Sequence, residues 1–125
     1  MIMRRSIKQD KNMTNATLIN YTTMKFISKP ELDLYIQMQE QLLTPDLISK
    51  LTTAGMLRRT TTKVWNKDGA HIAAVLYEYK DPESYKACQP ILEDELLSKL
   101  TQFNRTFSST RGVVTHEIIS EEYVL

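Results

Sequence analysis

The sequence predicts one small α+β domain with elements in the order βαββαβ, a four-stranded antiparallel sheet carrying two helices on one face. Three observations predict it. Two proline-led helix starts, Ser28-Lys29-Pro30-Glu31 and Asp81-Pro82, each follow a run rich in β-branched and aromatic residues. The turn signal Asn66-Lys67-Asp68-Gly69 separates two further strand-like runs, as in a hairpin. Finally, the run Ala70 to Tyr79 is apolar on both sides: Ile72, Ala74 and Leu76 on one, Ala73, Val75, Tyr77 and Tyr79 on the other. An antiparallel strand with one wet face alternates apolar and polar residues, so both faces of this one must be covered.

Each element has its own local reason. Ala16 to Phe26 reads as the first strand, with Leu18, Met24 and Phe26 on one face and Ile19 and Tyr21 on the other. Ser28 caps the following helix, and Leu32, Ile36, Gln39 and Leu43 recur along it at helical spacing, with Tyr35, Met38 and Leu42 beside them. Thr44-Pro45 interrupts that helix and restarts a short one through Leu51, which Gly55 stops. Met56 to Trp65 and Ala70 to Tyr79 form the hairpin. Asp81 caps the second helix, whose stripe is Tyr85, Cys88, Leu92, Leu96 and Leu100; Pro90 is expected to kink or divide it. Phe103 and Phe107 are expected to close on the core, and Arg111 to Ile119 is read as the last strand. The domain therefore spans residues 16–120, between a flexible tail at residues 1–15 and a short tail at 121–125.

Composition excludes several function classes. The chain has 125 residues, 42% hydrophobic and 25% charged, and a formal net charge of +1. That balance gives no electrostatic case for nucleic acid or an anionic membrane. Cys88 is the only cysteine, which rules out an intramolecular disulfide and a thiolate-rich zinc site. No apolar run reaches the roughly 18 residues that span a bilayer, and the N-terminus lacks the apolar stretch of a secretory signal. A cytoplasmic location and no cofactor are the resulting expectations.

The order of elements is the split βαβ arrangement of the ferredoxin-like fold. Right-handed crossovers put both helices on one side, leaving the other face of the sheet bare and, here, apolar. A second copy is the simplest cover, so a homodimer through the open sheet face is expected. The strand ending in paired tyrosines is then sandwiched, and a charge placed at Val75 or Tyr77 is expected to disrupt assembly. Ile19-Asn20-Tyr21-Thr22, Gly55-Met56-Leu57-Arg58, Val75 to Tyr79, Asp81-Pro82-Glu83-Ser84-Tyr85 and the stretch from Phe103 to Arg111 carry a resemblance. On these residues the chain is similar to the dimeric α+β barrel superfamily, which includes antibiotic-biosynthesis-type monooxygenases. More narrowly, it resembles a family of small bacterial proteins of unknown function. Members of that family often have a histidine late in the first helix, where this chain reads Gln41-Leu42-Leu43-Thr44-Pro45.

The superfamily resemblance implies a cavity between sheet and helices in which a few polar groups orient a ligand. Asn20 is the first candidate for such a group, and Trp65, His71, Tyr77 and Tyr79 are the other ligand-binding candidates. His71 and His116 titrate near neutrality, but the sequence sets no carboxylate or nucleophile beside either. Haem-degrading relatives use an asparagine, a tryptophan and a histidine; Trp65 and His71 do not match that spacing, so no haem role carries over. No phosphate loop, nucleophile elbow or metal-helix motif is present. Two readings follow. One is a homodimeric binding or interaction protein for a small apolar ligand; the other is a cofactor-independent monooxygenase or isomerase acting on an aromatic or polyketide-like substrate. A ligand-sensing regulatory module is a third, weaker reading.

Overall fold

Strand β2 (Leu18–Phe26) runs through the interior of the sheet and pairs antiparallel with two neighbours along its whole length. The computed structural model describes residues 2–3, 15–103 and 105–122. Around β2 stand α1 (Lys29–Leu42), α2 (Pro45–Thr53), β3 (Met56–Lys63), β4 (His71–Tyr79), α3 (Pro82–Glu95) and β5 (Arg105–Val113). The four long strands form one sheet in the order β3-β4-β2-β5, the ferredoxin-like topology. A separate two-residue pairing joins β1 (Ile2–Met3) to β6 (Ile118–Ile119). The remainder of the proposed N-terminal tail up to residue 14, and residues 123–125 of the C-terminal one, lie outside the described residues.

The helices begin where capping chemistry predicts. Ser28 Oγ accepts from the Glu31 amide at 3.3 Å, Thr44 Oγ1 from Leu47 at 3.2 Å and Asp81 Oδ1 from Ser84 at 2.7 Å. Each cap satisfies one of the amides that a helix start leaves without an intrahelical partner. A proline stands in the first turn of all three helices, where its missing N–H costs nothing.

All three helices pack on the same side of the sheet, and alternation along each strand decides which residues they cover. Leu18, Met24 and Phe26 of β2 and Ala73, Val75, Tyr77 and Tyr79 of β4 join Leu32, Leu47, Leu51, Cys88, Leu92, Leu96 and Leu100 in one core. Full burial of each such leucine stabilises the fold by roughly 1.5–3 kcal/mol relative to leaving it exposed. Phe26, Tyr35 and Phe103 meet in tilted and edge-on contacts with ring centroids 5.1–6.1 Å apart. Lys63 on β3 reaches Asp33 on α1 at 2.7 Å, and Lys50 on α2 reaches Glu95 on α3 at 3.0 Å, so surface pairs tie helix to sheet and helix to helix.

Four expectations are corrected. The last long strand is Arg105–Val113 rather than Arg111 to Ile119, because β5 pairs with β2 from Phe26↔Arg105 to Leu18↔Val113. Phe107 consequently does not close on the core: it stands opposite Met24 on an edge strand and is 67% exposed. Helix α3 runs undivided through Pro90. The tyrosine-bearing side of β4 faces the helices, so the bare face carries Ile72, Ala74 and Leu76 instead, beside Ile19 and Tyr21 of β2.

The junction between α2 and β3 has no room for a side chain. Gly55 has φ +111°, a left-handed conformation, and a Cβ there would overlap the Ser84 side chain at the start of α3. The Gly55 carbonyl also accepts from the Lys80 amide at 3.0 Å, which fixes the approach. Gly55→Ala is therefore expected to destabilise the protein by roughly 2 kcal/mol or more. Urea unfolding at matched protein concentration checks this; a midpoint equal to that of the unaltered protein contradicts it.

Candidate functional site

Between the helix-facing side of the sheet and α3 lies a cavity of about 480 Å³, partly open to solvent. That is within the size range of small-molecule sites. Strand alternation supplies its floor: Asn20, Thr22 and Met24 from β2, Tyr77 and Tyr79 from β4, and Arg105, Phe107, Ser109 and Arg111 from β5. Helix α3 supplies Tyr85, Gln89 and Leu92 as the opposite wall.

Asn20 is buried, and its amide sits in a closed hydrogen-bond ring. Asn20 Nδ2 donates to Thr22 Oγ1 at 3.0 Å, and Ser109 Oγ donates to Asn20 Oδ1 at 3.3 Å. The Thr22 and Ser109 hydroxyls are 2.8 Å apart. A hydroxyl has one proton, so with Ser109 donating to the amide, Thr22 donates to Ser109 and the ring has one direction. Arg111 Nη1 adds a second donor to Asn20 Oδ1 at 3.0 Å, while its guanidinium lies 5.0 Å from the Tyr85 ring centroid. The ring thus pins two sheet strands and one arginine beneath the cavity.

The walls are aromatic. Tyr77 and Tyr79 stack at 6.2 Å and 6°, and Tyr85 meets Tyr79 edge-on at 5.5 Å. Arg59, on β3 beside Tyr77, places its Cζ 5.0 Å from the Tyr77 ring centroid and donates to the Tyr77 hydroxyl at 3.4 Å. Burial pushes the Tyr79 hydroxyl well above the usual tyrosine range. Burial also raises Tyr35, against the opposing charges of Arg59 and Arg105. Both groups therefore stay protonated near neutral pH rather than serving as bases.

A family model described as Domain of unknown function (DUF6974) matches residues 15–114. The chain belongs to that family. It is 34% identical to a dimeric ferredoxin-like protein from an uncultured marine organism, covering 83% of this chain and 99% of that one with a TM-score of 0.74. A second dimeric ferredoxin-like protein, also from an uncultured marine organism, is 27% identical over 83% of this chain and 100% of that one, with a TM-score of 0.73. At 11% identity, over 85% of this chain and 94% of the other, a Streptomyces coelicolor monooxygenase from the gene ActVA-Orf6, in complex with Nanaomycin D, shares the fold with a TM-score of 0.61. No curated protein matches the chain.

The cavity brings Asn20, Tyr77 and Tyr79 together and leaves out Trp65 and His71. Trp65 lies beyond β3 in the hairpin connection and is 90% exposed. His71 begins β4 opposite Phe26 and does not line the cavity. The residues that sequence reasoning missed are Arg105, Ser109 and Arg111. Their shared odd positions put them on one face, but the signal depends on knowing that this polar, threonine- and serine-rich segment is a strand.

Replacing Asn20 with leucine keeps the bulk but removes the acceptor of Ser109 and Arg111. Asn20→Leu is expected to cost about 1–3 kcal/mol, and Thr22→Val about 1 kcal/mol, in urea unfolding. No change in either variant would mean that the ring does not hold β2 and β5 together.

Proposed function

We propose that this protein is a homodimer that binds a small, largely apolar aromatic molecule in the cavity between its sheet and α3. The single observation that carries the reading is the 480 Å³ space itself, walled by Tyr77, Tyr79, Tyr85, Leu92 and Phe107. A cleft of this size, lined by aromatic and apolar side chains with a few polar groups, has the usual form of a small-molecule site. Dimerisation is argued from the bare sheet face. Ile19, Ile72, Ala74 and Leu76 are only partly buried there, and Tyr21 is 49% exposed in their midst. The relatives from marine organisms, dimeric by description, support a second copy as the cover.

A cofactor-independent oxygenase or isomerase is the second reading. It is favoured by Tyr77 standing directly across from Asn20 in the register of β2 and β4, both in the cavity, and by the fold shared with the Nanaomycin D complex. Against it, neither histidine lines the space, and most of the Asn20 amide's hydrogen-bonding capacity is taken by protein partners.

Light scattering should give twice the chain mass at micromolar concentration. Leu76→Glu, on the bare face, should yield a folded monomer, whereas Val75→Glu, one residue away and facing the helices, should unfold the chain. Identical behaviour of the two variants would remove the argument for the sheet face. For the cavity, the neutral aromatic probe 2-naphthamide should bind to the unaltered protein in a fluorescence titration. Leu97→Trp, which adds bulk to the cavity wall, should abolish that binding. Undiminished binding in Leu97→Trp would place the probe elsewhere.

A further inference from the structure

We infer that the cavity's ligand is an anion: a flat aromatic molecule carrying a carboxylate or a comparable planar negative group, seated on Arg105. The inference rests on the cavity reading above and goes beyond it by assigning the ligand's charge.

The cavity carries positive charge that no carboxylate among the described residues pairs with. Arg105 and Arg111 line it, and Arg59 stands behind Tyr77. Glu93 is the one carboxylate among the lining residues, and it forms no ion pair with any of the three. Arginine keeps its charge near neutral pH, and the half-buried Arg105 would gain from a counter-charge. Ring faces supply part of that stabilisation. The Arg105 Cζ lies 5.7 Å from the Tyr35 ring centroid and 5.9 Å from that of Phe107.

The geometry of Arg105 specifies how an anion would sit. Its Nη1 donates to the Leu100 carbonyl at 2.8 Å, which anchors one corner of the planar fork. Its Nε is shut off from solvent and has no hydrogen-bond partner among the described residues. Nη2 makes no hydrogen bond to the described residues, so it is the donor left for a carboxylate oxygen in the cavity. Arg111 stands six residues along the same extended strand, roughly 20 Å away at the Cα atoms. One carboxylate cannot bridge both. Arg111 instead adds positive potential at the far end, over Tyr85, where it would favour an oxygen substituent on the ligand.

Two probes with one ring system separate the possibilities. Isothermal titration of the full chain with 2-naphthoate and with neutral 2-naphthamide should show the anion binding at least about tenfold more tightly. Arg105→Gln should bring the two affinities to near equality while 2-naphthamide binding persists. Arg105→Lys, a point charge without the fork, should restore only part of the preference. If Arg105→Gln does not fold, Arg111→Gln serves, since that side chain is exposed; it should lower the preference by roughly half. Equal affinity for the two probes in the unaltered protein overturns the anion assignment and leaves the cavity reading intact. So does a preference that neither arginine substitution changes. Binding of neither probe overturns both.

Discussion

A sheet whose helices, among the described residues, cover one side only makes every strand residue choose between two environments, and the register of β2 against β4 and β5 makes that choice for this protein. With Asn20 opposite both Tyr77 and Arg111, even-numbered positions of β2 face the helices and odd-numbered ones face away. A slip of one residue would bring Tyr21 under the helices and push Asn20 out. The core, the cavity floor and the bare apolar face all follow from this one alignment. The Asn20–Thr22–Ser109 ring reinforces it, because those three groups meet only when β2 and β5 are in this register.

The two faces have different chemistry as a result. On the helix side, space between the sheet and α3 is lined by tyrosine rings and underlaid by a directional amide–hydroxyl ring, with guanidinium groups at either end. On the other side, Ile19, Tyr21, Ile72 and Leu76 sit among threonines, with the Arg58–Glu78 pair at one end at 3.4 Å. Apolar centre and polar margin is the usual anatomy of a protein–protein interface. The cavity and the apolar face are thus separated by the thickness of one sheet, and a change on one face can leave the other intact.

Much of the fold was legible in the sequence because its signals are local. Ser28 and Asp81 cap helices as their neighbours suggested, Thr44-Pro45 starts the short helix α2, and Asn66 to Gly69 turns the hairpin, with Gly69 at φ +77°. Where local signals failed, tertiary context had taken over. Strand β5 reads Arg-Thr-Phe-Ser-Ser-Thr-Arg-Gly-Val, without apolar alternation, since it is an edge strand and its helix-facing side borders a cavity rather than a packed core. The apolar residues beyond it, Val114, Ile118 and Ile119, drew the strand too far along. Pro90 was expected to kink or divide α3; it does not divide it, and it lies on the exposed side of a helix that continues past it. The orientation of β4 was ambiguous for a different reason: both of its faces are apolar, and pattern alone cannot say which one meets the helices. Of the candidate site, Asn20, Tyr77 and Tyr79 could be named early, while the arginines could not be placed until β5 was.

The most direct test of this account is thiol labelling of a cysteine placed at Ala74, in the middle of the bare face. Native Cys88 gives little background, since it is fully buried and burial raises its thiol above the usual range. If a second copy covers the face, the labelling rate at Ala74→Cys will fall as protein concentration rises through the association range, while Lys86→Cys on exposed α3 labels at a constant rate. A rate at position 74 that is as fast and as independent of concentration as that at position 86 would contradict the account.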